Sequence, residues 1–339
     1  MKKQKHLPAT WLLHEVATFH LLAFLIYELT EKQQKVLLYE IIVVFLQTKC
    51  GNNHILISYA CRLHFFEAMA EVNNLQDWVT SEMLRGRYIF TKEDVLGLHL
   101  PISGQSLQNS LKRLTNRGII MSPWQNFYVI IPTEYKLRGI VPPSFYIDRL
   151  MKFLGRDYYV SLLSAAELNG AAHQKAMVFQ TIVNGNAIRS GLKNGTRLEF
   201  TLRQNLPLDY TKKVKTQMGY MNVAGAELTA LDIVAEEQKI GGLSRAAEIL
   251  LELCETMQWD ESKLPLLAYF SSATIQRLGY LLELIEETEQ ADNLYSLFKQ
   301  TGKTMRRTPL KQSVATSDDM TTDNRWKIIF NYEIDTDEI

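Results

Sequence analysis

Between Val95 and Thr133 the chain has no aspartate or glutamate, although its 37 lysines and arginines are matched by 37 acids overall. A neutral protein does not coat nucleic acid indiscriminately, so this local absence needs its own physical reason. Cysteine is scarce too. Cys50, Cys61 and Cys254 are odd in number, fit neither a disulfide framework nor a metal-ligand spacing, and point to a reducing cytoplasm. A Gly-rich phosphate loop, a nucleophile elbow and metal-ligand spacings are also missing, so neither an enzyme nor a cofactor or metal is expected. His14, Glu15 and His20 interrupt the most apolar stretch, which argues against a signal peptide, a transmembrane helix and a membrane partner.

What is present divides by region. A chain of 339 residues has room for two or three domains. Residues 1–68 carry seven basic and five acidic side chains (+2), 69–138 carry eight and six (+2), and 139–339 carry 22 and 26 (−4). Residues 1–68 also hold five of the seven histidines and the apolar stretches "WLLHEVATFHLLAFLIYEL" and "KVLLYEIIVVFLQ". An ordinary amphipathic pattern begins at Met69. The shift marks 1–68 as a candidate upstream extension, with Met69 as the alternative start.

From Asn74 the periodicity predicts short elements in a defined order. "NLQDWVTSEMLRG" sets Leu75, Trp78, Val79 and Met83 on one helical face and ends at Gly86. "RYIF" is β-prone. Thr91 is the expected N-cap of a short helix with Glu93 and Asp94 in its first turn, stopped by Pro101. Ser103 caps "GQSLQNSLKRLTNRG", in which Leu107, Leu111 and Leu114 form one stripe and Gly118 the stop. The opposite face carries Gln105, Ser106, Asn109, Lys112, Arg113 and Asn116, followed by Arg117. Two apolar runs, "IIMSPW" and "FYVIIP", are joined by Gln125-Asn126, where Asn tolerates a positive φ.

Short helices followed by a β-hairpin predict a winged helix-turn-helix. Amides that read base edges and cations that meet phosphates are what a recognition helix presents, and a carboxylate there would repel the backbone. The expected DNA-binding residues are Ser103, Gln105, Ser106, Asn109, Lys112, Arg113, Asn116 and Arg117, with Gln125 and Asn126 at the wing. A solvated basic helix face is the competing explanation.

After Pro142 and Pro143 the pattern is mixed. "YYVSLLSAAELNGAAHQ" reads as a helix, "RLEFTLR" as a strand, and "TKKVKTQMGYMNVAGAELTALDIVAEEQ" as a strand or two and then a helix. Ser244 is the expected cap of "GGLSRAAEILLELCETM"; further helices, the loose "TSDDMTTDN" and a closing strand "RWKIIFNYEI" follow. The fold class is therefore α+β: an N-terminal winged helix-turn-helix over 69–138 and a mixed α/β domain over 139–339. Little chemistry shows. His173 and Glu167 do not share a helix face, Lys212, Lys213 and Lys215 read as solvated surface, and Glu227 with Asp232 can be imagined as a metal-holding nuclease pair, although a capped helix with Asp232 bonded locally is the favoured reading.

In order along residues 70–339, "GRYIFTKEDV", the amide-rich helix, "LRGIVPPSFYIDRLM", "YYVSLLSAAELNGAAHQ", "ELTALDIV", "GGLSRAAEILLEL" and "RWKIIFNYEI" resemble AbiEi-type antitoxins of type IV toxin–antitoxin (abortive infection) systems. The resemblance implies a cytoplasmic, non-enzymatic antitoxin for phage defence that represses its own operon by binding promoter DNA. It implies as functional partner an AbiEii-type nucleotidyltransferase toxin, with no stable complex required, and it supplies no catalytic residues. The alternative is a winged-helix regulator with a ligand-sensing C-terminal domain and no toxin.

Overall fold

The structure, a computed structural model, describes residues 74–98, 103–171, 177–193 and 195–335. The expectations for residues 1–68, Met69, Cys50, Cys61, Pro101 and His173 lie outside the described residues.

In chain order the elements are α1 (Leu75–Leu84), β1 (Ile89–Thr91), α2 (Lys92–Leu96), α3 (Gly104–Asn116), β2 (Ile120–Trp124) and β3 (Phe127–Ile130). Next come α4 (Ile147–Phe153), β4 (Tyr158–Val160), α5 (Leu162–Leu168), β5 (Val178–Val183), β6 (Gly191–Lys193) and β7 (Thr196–Leu202). The chain continues through β8 (Thr211–Thr216), β9 (Gly219–Ala224), α6 (Ala226–Ala235), α7 (Leu243–Cys254), α8 (Ser272–Leu284), α9 (Thr288–Gln300), β10 (Thr308–Pro309) and β11 (Ile328–Ile329). The chain is mixed α+β. It falls into two compact units: residues up to Arg87 with Leu98–Leu111, and Tyr88–Gly97 with Lys112 onward.

In the first unit, Asn74 caps α1 by accepting from the Gln76 and Asp77 amides at 2.9 and 3.1 Å. The buried face of α1 is Leu75, Trp78, Val79 and Glu82, with Met83 only half-buried. A carboxylate takes the position expected for methionine because Arg85, at 3.1 Å, and Arg87, at 3.7 Å, pair with it. Gly86 leaves the helix at φ +74°, a conformation that suits glycine.

In the second unit, β1, β3 and β2 form an antiparallel sheet in that order. Thr91 begins α2 in a reciprocal capping box with Asp94. Asn126 takes φ +62° in the hairpin turn, as its residue type suggested. The Ser122 hydroxyl bridges the irregularity in β2 by donating to the Trp124 and Phe127 carbonyls. This hairpin is not free-standing. Met121, Phe127, Val129 and Ile131 belong to the same buried apolar cluster as the C-terminal elements. The Phe127 ring lies 5.5 Å from Phe153, and Trp124 meets Phe200 edge-on at 6.2 Å. The Pro-containing connection is exposed only to Ile140; Val141, Pro143 and Phe145 are buried again.

The larger sheet has the order β6-β7-β5-β4-β9-β8 and is mixed: β5 is parallel to β7 and β4 to β9, with the other pairs antiparallel. The expected helix from Tyr158 is instead a strand for three residues, because Tyr158, Tyr159 and Val160 pair with Val183, Ile182 and Thr181. Lys212, Lys213 and Lys215 lie on the edge strand β8, where lysine discourages pairing with another chain. Ser244 is not a cap. Gly242 precedes α7, and the Ser244 hydroxyl accepts from the Asp335 amide at 3.2 Å. The closing strand shrinks to β11, which pairs in parallel with β10.

Helix α6 is buried from Ala226 to Val234, with α5, α7, α8 and β9 packed around it. A helix covered on all sides must satisfy its polar side chains internally. Thr229 donates to the Gly225 carbonyl at 2.8 Å, and Glu227 pairs with Lys263 at 2.9 Å. Asp232, fully buried, accepts from Ser161 Oγ at 2.7 Å and from Arg203 at 2.6 Å. Arg203 also donates to the Tyr159 hydroxyl at 2.6 Å and stacks over Phe270 at 4.7 Å. Burial pushes the Asp232 carboxyl up, and the Arg203 charge opposes that push.

Two stability outcomes follow from this packing. Arg203→Ala should cost about 3–5 kcal/mol in urea unfolding, because it strands a buried carboxylate. The double change Arg203→Met with Asp232→Leu should cost much less, and equal losses in both would contradict the assignment. A Cβ at Gly279 would overlap the fully buried Trp326 indole. Gly279→Ala should therefore lower stability by about 1–3 kcal/mol, read as a drop in thermal midpoint.

Candidate nucleic-acid face and C-terminal domain

Helix α3 is built by its cap and its leucines. The Ser106 amide donates to Ser103 Oγ at 3.2 Å, so that hydroxyl is engaged in capping. Leu107, Leu111 and Leu114 are buried, at 2%, 3% and 1% exposure. This fixes the rotation of the helix. Gln105, Ser106, Asn109, Lys112, Arg113 and Asn116 are all exposed and fall within about 120° of arc on the other side.

No carboxylate lies on α3, and neither Lys112 nor Arg113 pairs with one among the described residues. Arg117 is exposed just past the helix, its amide donating to the Arg113 carbonyl at 3.1 Å. Gln125 and Asn126 sit on a different element, the β2–β3 turn. Gln125 is exposed; Asn126 is half-buried, and its carbonyl accepts from the Lys92 amide at 2.9 Å.

The residues imagined as a nuclease pair have other partners. Glu227 accepts from the Gln258 amide at 2.9 Å and pairs with Lys263, whereas Asp232 is held by Arg203 and Ser161. Glu227 takes both of its donors on Oε1, and Asp232 is engaged through both oxygens. Among the described residues no group of three His, Cys, Asp or Glu side chains could hold a metal ion. Burial pushes the Cys254 thiol up to about 12, so it stays protonated and unreactive at neutral pH. Among the described residues no helix is long and apolar enough to cross a membrane.

Sequence reading missed the Arg203–Asp232–Ser161–Tyr159 cluster, whose members lie on β4, at the β4–α5 junction, just past β7 and on α6. The local expectation for Asp232, inside the largely apolar "ELTALDIV", is a bond to a neighbour along the helix; its partners Arg203 and Ser161 lie 29 and 71 positions away instead.

Residues 159–284 match the family described as the AbiEi antitoxin C-terminal domain. No curated protein matches the chain. Among solved structures, the RV2827C protein from Mycobacterium tuberculosis is similar at a TM-score of 0.54 and 13% identity, over 74% of this chain and 89% of that one, a likeness of fold alone. An antigenic nucleotidyltransferase-like protein from Paracoccidioides brasiliensis covers 46% of this chain and 90% of its own at 11% identity, but its TM-score of 0.31 is too low to support a shared fold. Residues 159–284, which hold α6 and its buried polar partners, are thus similar to the C-terminal domain of AbiEi antitoxins.

Proposed function

We propose that this chain is the antitoxin of a type IV toxin–antitoxin system, that it acts in the cytoplasm without enzymatic activity, and that it represses its own operon. The AbiEi C-terminal domain supports the antitoxin role and, with it, a nucleotidyltransferase toxin as the functional partner. The acid-free, amide-rich face of α3 supports DNA reading and is the observation that carries the repressor half. In this reading the elements α1 to β3 form a winged helix-turn-helix. Asn109 and Gln105 face base edges, Lys112, Arg113 and Arg117 face phosphates, and Gln125 and Asn126 make the wing tip.

Neutralisation is assigned to the acidic remainder of the chain. Type IV antitoxins need not hold their toxins in a stable complex, so this domain is expected to act without a lasting 1:1 assembly. The paired states of Glu227 and Asp232 speak against the nuclease reading, because each would have to abandon a cation to take up a metal.

Two measurements test the division of labour. Lys112→Ala with Arg113→Ala should weaken binding to the operon's own promoter and lower the salt slope by about two, while Asn109→Ala should relax sequence preference instead. A double variant that shifts promoter DNA as well as the parent would sink the recognition-helix assignment. A fragment Gly139–Ile339 should lose repression in a promoter reporter. It should also rescue growth from induced toxin less well than a fragment starting at Gly118, because it lacks Met121, Phe127, Val129 and Ile131 from the shared core. Truncation of a buried Phe alone costs about 3–5 kcal/mol. Equal rescue by both fragments would show that the hairpin contributes nothing to the antitoxin fold.

A further inference from the structure

A cavity of about 770 Å³ opens in the second unit between residues 135–144, α5 and the starts of β5 and β7. That volume falls in the range of about 300–1,000 Å³ typical of small-molecule sites. Its walls are largely apolar: Ile140, Pro142, Leu168, Met177, Phe179 and Met221. Three of these stay open to water, with Ile140 and Leu168 each 38% and Met177 89% exposed. Apolar area left in water is a standing drive for an apolar body to enter.

The polar groups of the wall narrow the ligand class. The Tyr135 hydroxyl already donates to Gln217 Oε1 at 3.1 Å. Ser164 Oγ donates to the Val178 carbonyl at 3.1 Å and accepts the Gln180 amide at 3.0 Å. Among the described side chains of the wall, the hydroxyls of Ser144 and Thr196 are the other neutral polar groups, few beside the amides and carbonyls of a peptide segment. The occupant is therefore better made of alkyl or aryl carbon than of main chain.

Among the described residues of the wall, two side chains carry charge. Arg138 is exposed and has no carboxylate partner among the described residues, whereas Glu167, on α5, has an interaction of its own. An anionic head is therefore favoured at Arg138 and disfavoured at α5.

We propose that this cavity binds a small amphipathic carboxylic acid, its apolar body against Leu168, Met177, Phe179 and Met221 and its carboxylate on Arg138. The inference does not depend on the antitoxin reading, because a ligand here would make the C-terminal domain a sensor whether or not a toxin is its partner.

Calorimetric titration of the full chain with octanoate, octanol and octyltrimethylammonium tests it. Octanoate should bind saturably and about fivefold more tightly than octanol, the scale of one exposed charge pair. The cation should bind more weakly than either. Arg138→Ala should erase the advantage of octanoate over octanol. Met177→Glu, at an exposed position that leaves the fold intact by circular dichroism, should weaken octanoate about tenfold by setting a charge against the alkyl chain. No saturable heat with octanoate overturns the proposal. So does equal binding of all three probes, or octanoate binding that neither variant weakens, which would place the ligand elsewhere.

Discussion

The bond between Arg203 and Asp232 is the constraint around which the C-terminal body is arranged. Asp232 sits on the helix that α5, α7 and α8 all pack against, and it is fully buried there. A carboxylate in that position is tolerable only if donors surround it, so α6 can occupy the core in one rotation: the one that aims Asp232 at the end of β7 and at β4. Ser161 completes the shell from the β4–α5 junction, where Leu162 takes φ +52°. That left-handed residue is held by its neighbours, since the Ser161 amide donates to the Gln180 carbonyl and the Leu163 amide to Gln180 Oε1. One ion pair thus ties two strands and the central helix together and fixes a strained turn between them.

The same core reaches into the segment that reads as a wing. Phe127 and Met121 point away from their own hairpin and into the apolar cluster that continues to Ile328. Residues proposed to touch DNA at the turn are therefore a few positions from side chains that stabilise the antitoxin domain. The proposed DNA reading and the proposed neutralisation would share this stretch of packing. A destabilised C-terminal core would be expected to disturb the hairpin as well, because packed interiors transmit displacement rather than absorb it.

The far end of the chain is secured by a different device. Trp326 fills the space left by Gly279, its carbonyl accepts from Gln276 at 2.6 Å, and Arg325 bridges Glu283 and Asp292 at 2.6 Å each. The residues after β10 are thereby bound back onto α8 and α9, although they contribute almost no regular secondary structure. Side-chain anchors hold a segment whose own backbone pairing is confined to β11 and an isolated bridge from Thr322 to Ile329.

Local features were legible wherever their cause was local. The Thr91 cap, the Ser103 cap, the leucine stripe of α3, the glycine stops at Gly86 and Gly118 and the positive φ of Asn126 each depend on residues within about two turns of each other, and the residue types alone decided them. The order of motifs likewise carried the AbiEi resemblance that residues 159–284 bear out. Tertiary structure decided the rest. Tyr158–Val160 is a strand only because β5 and β9 lie beside it, Glu82 is buried only because two arginines reach it, and Ser244 gives up capping for a bond to a residue 91 positions away. Asp232 acquires its role from Arg203, 29 positions earlier, and Ser161, 71 positions earlier. Pattern and propensity report on neighbours along the chain, whereas the partner of a buried charge is set by which strands and helices pack, and that is decided only when the chain closes on itself.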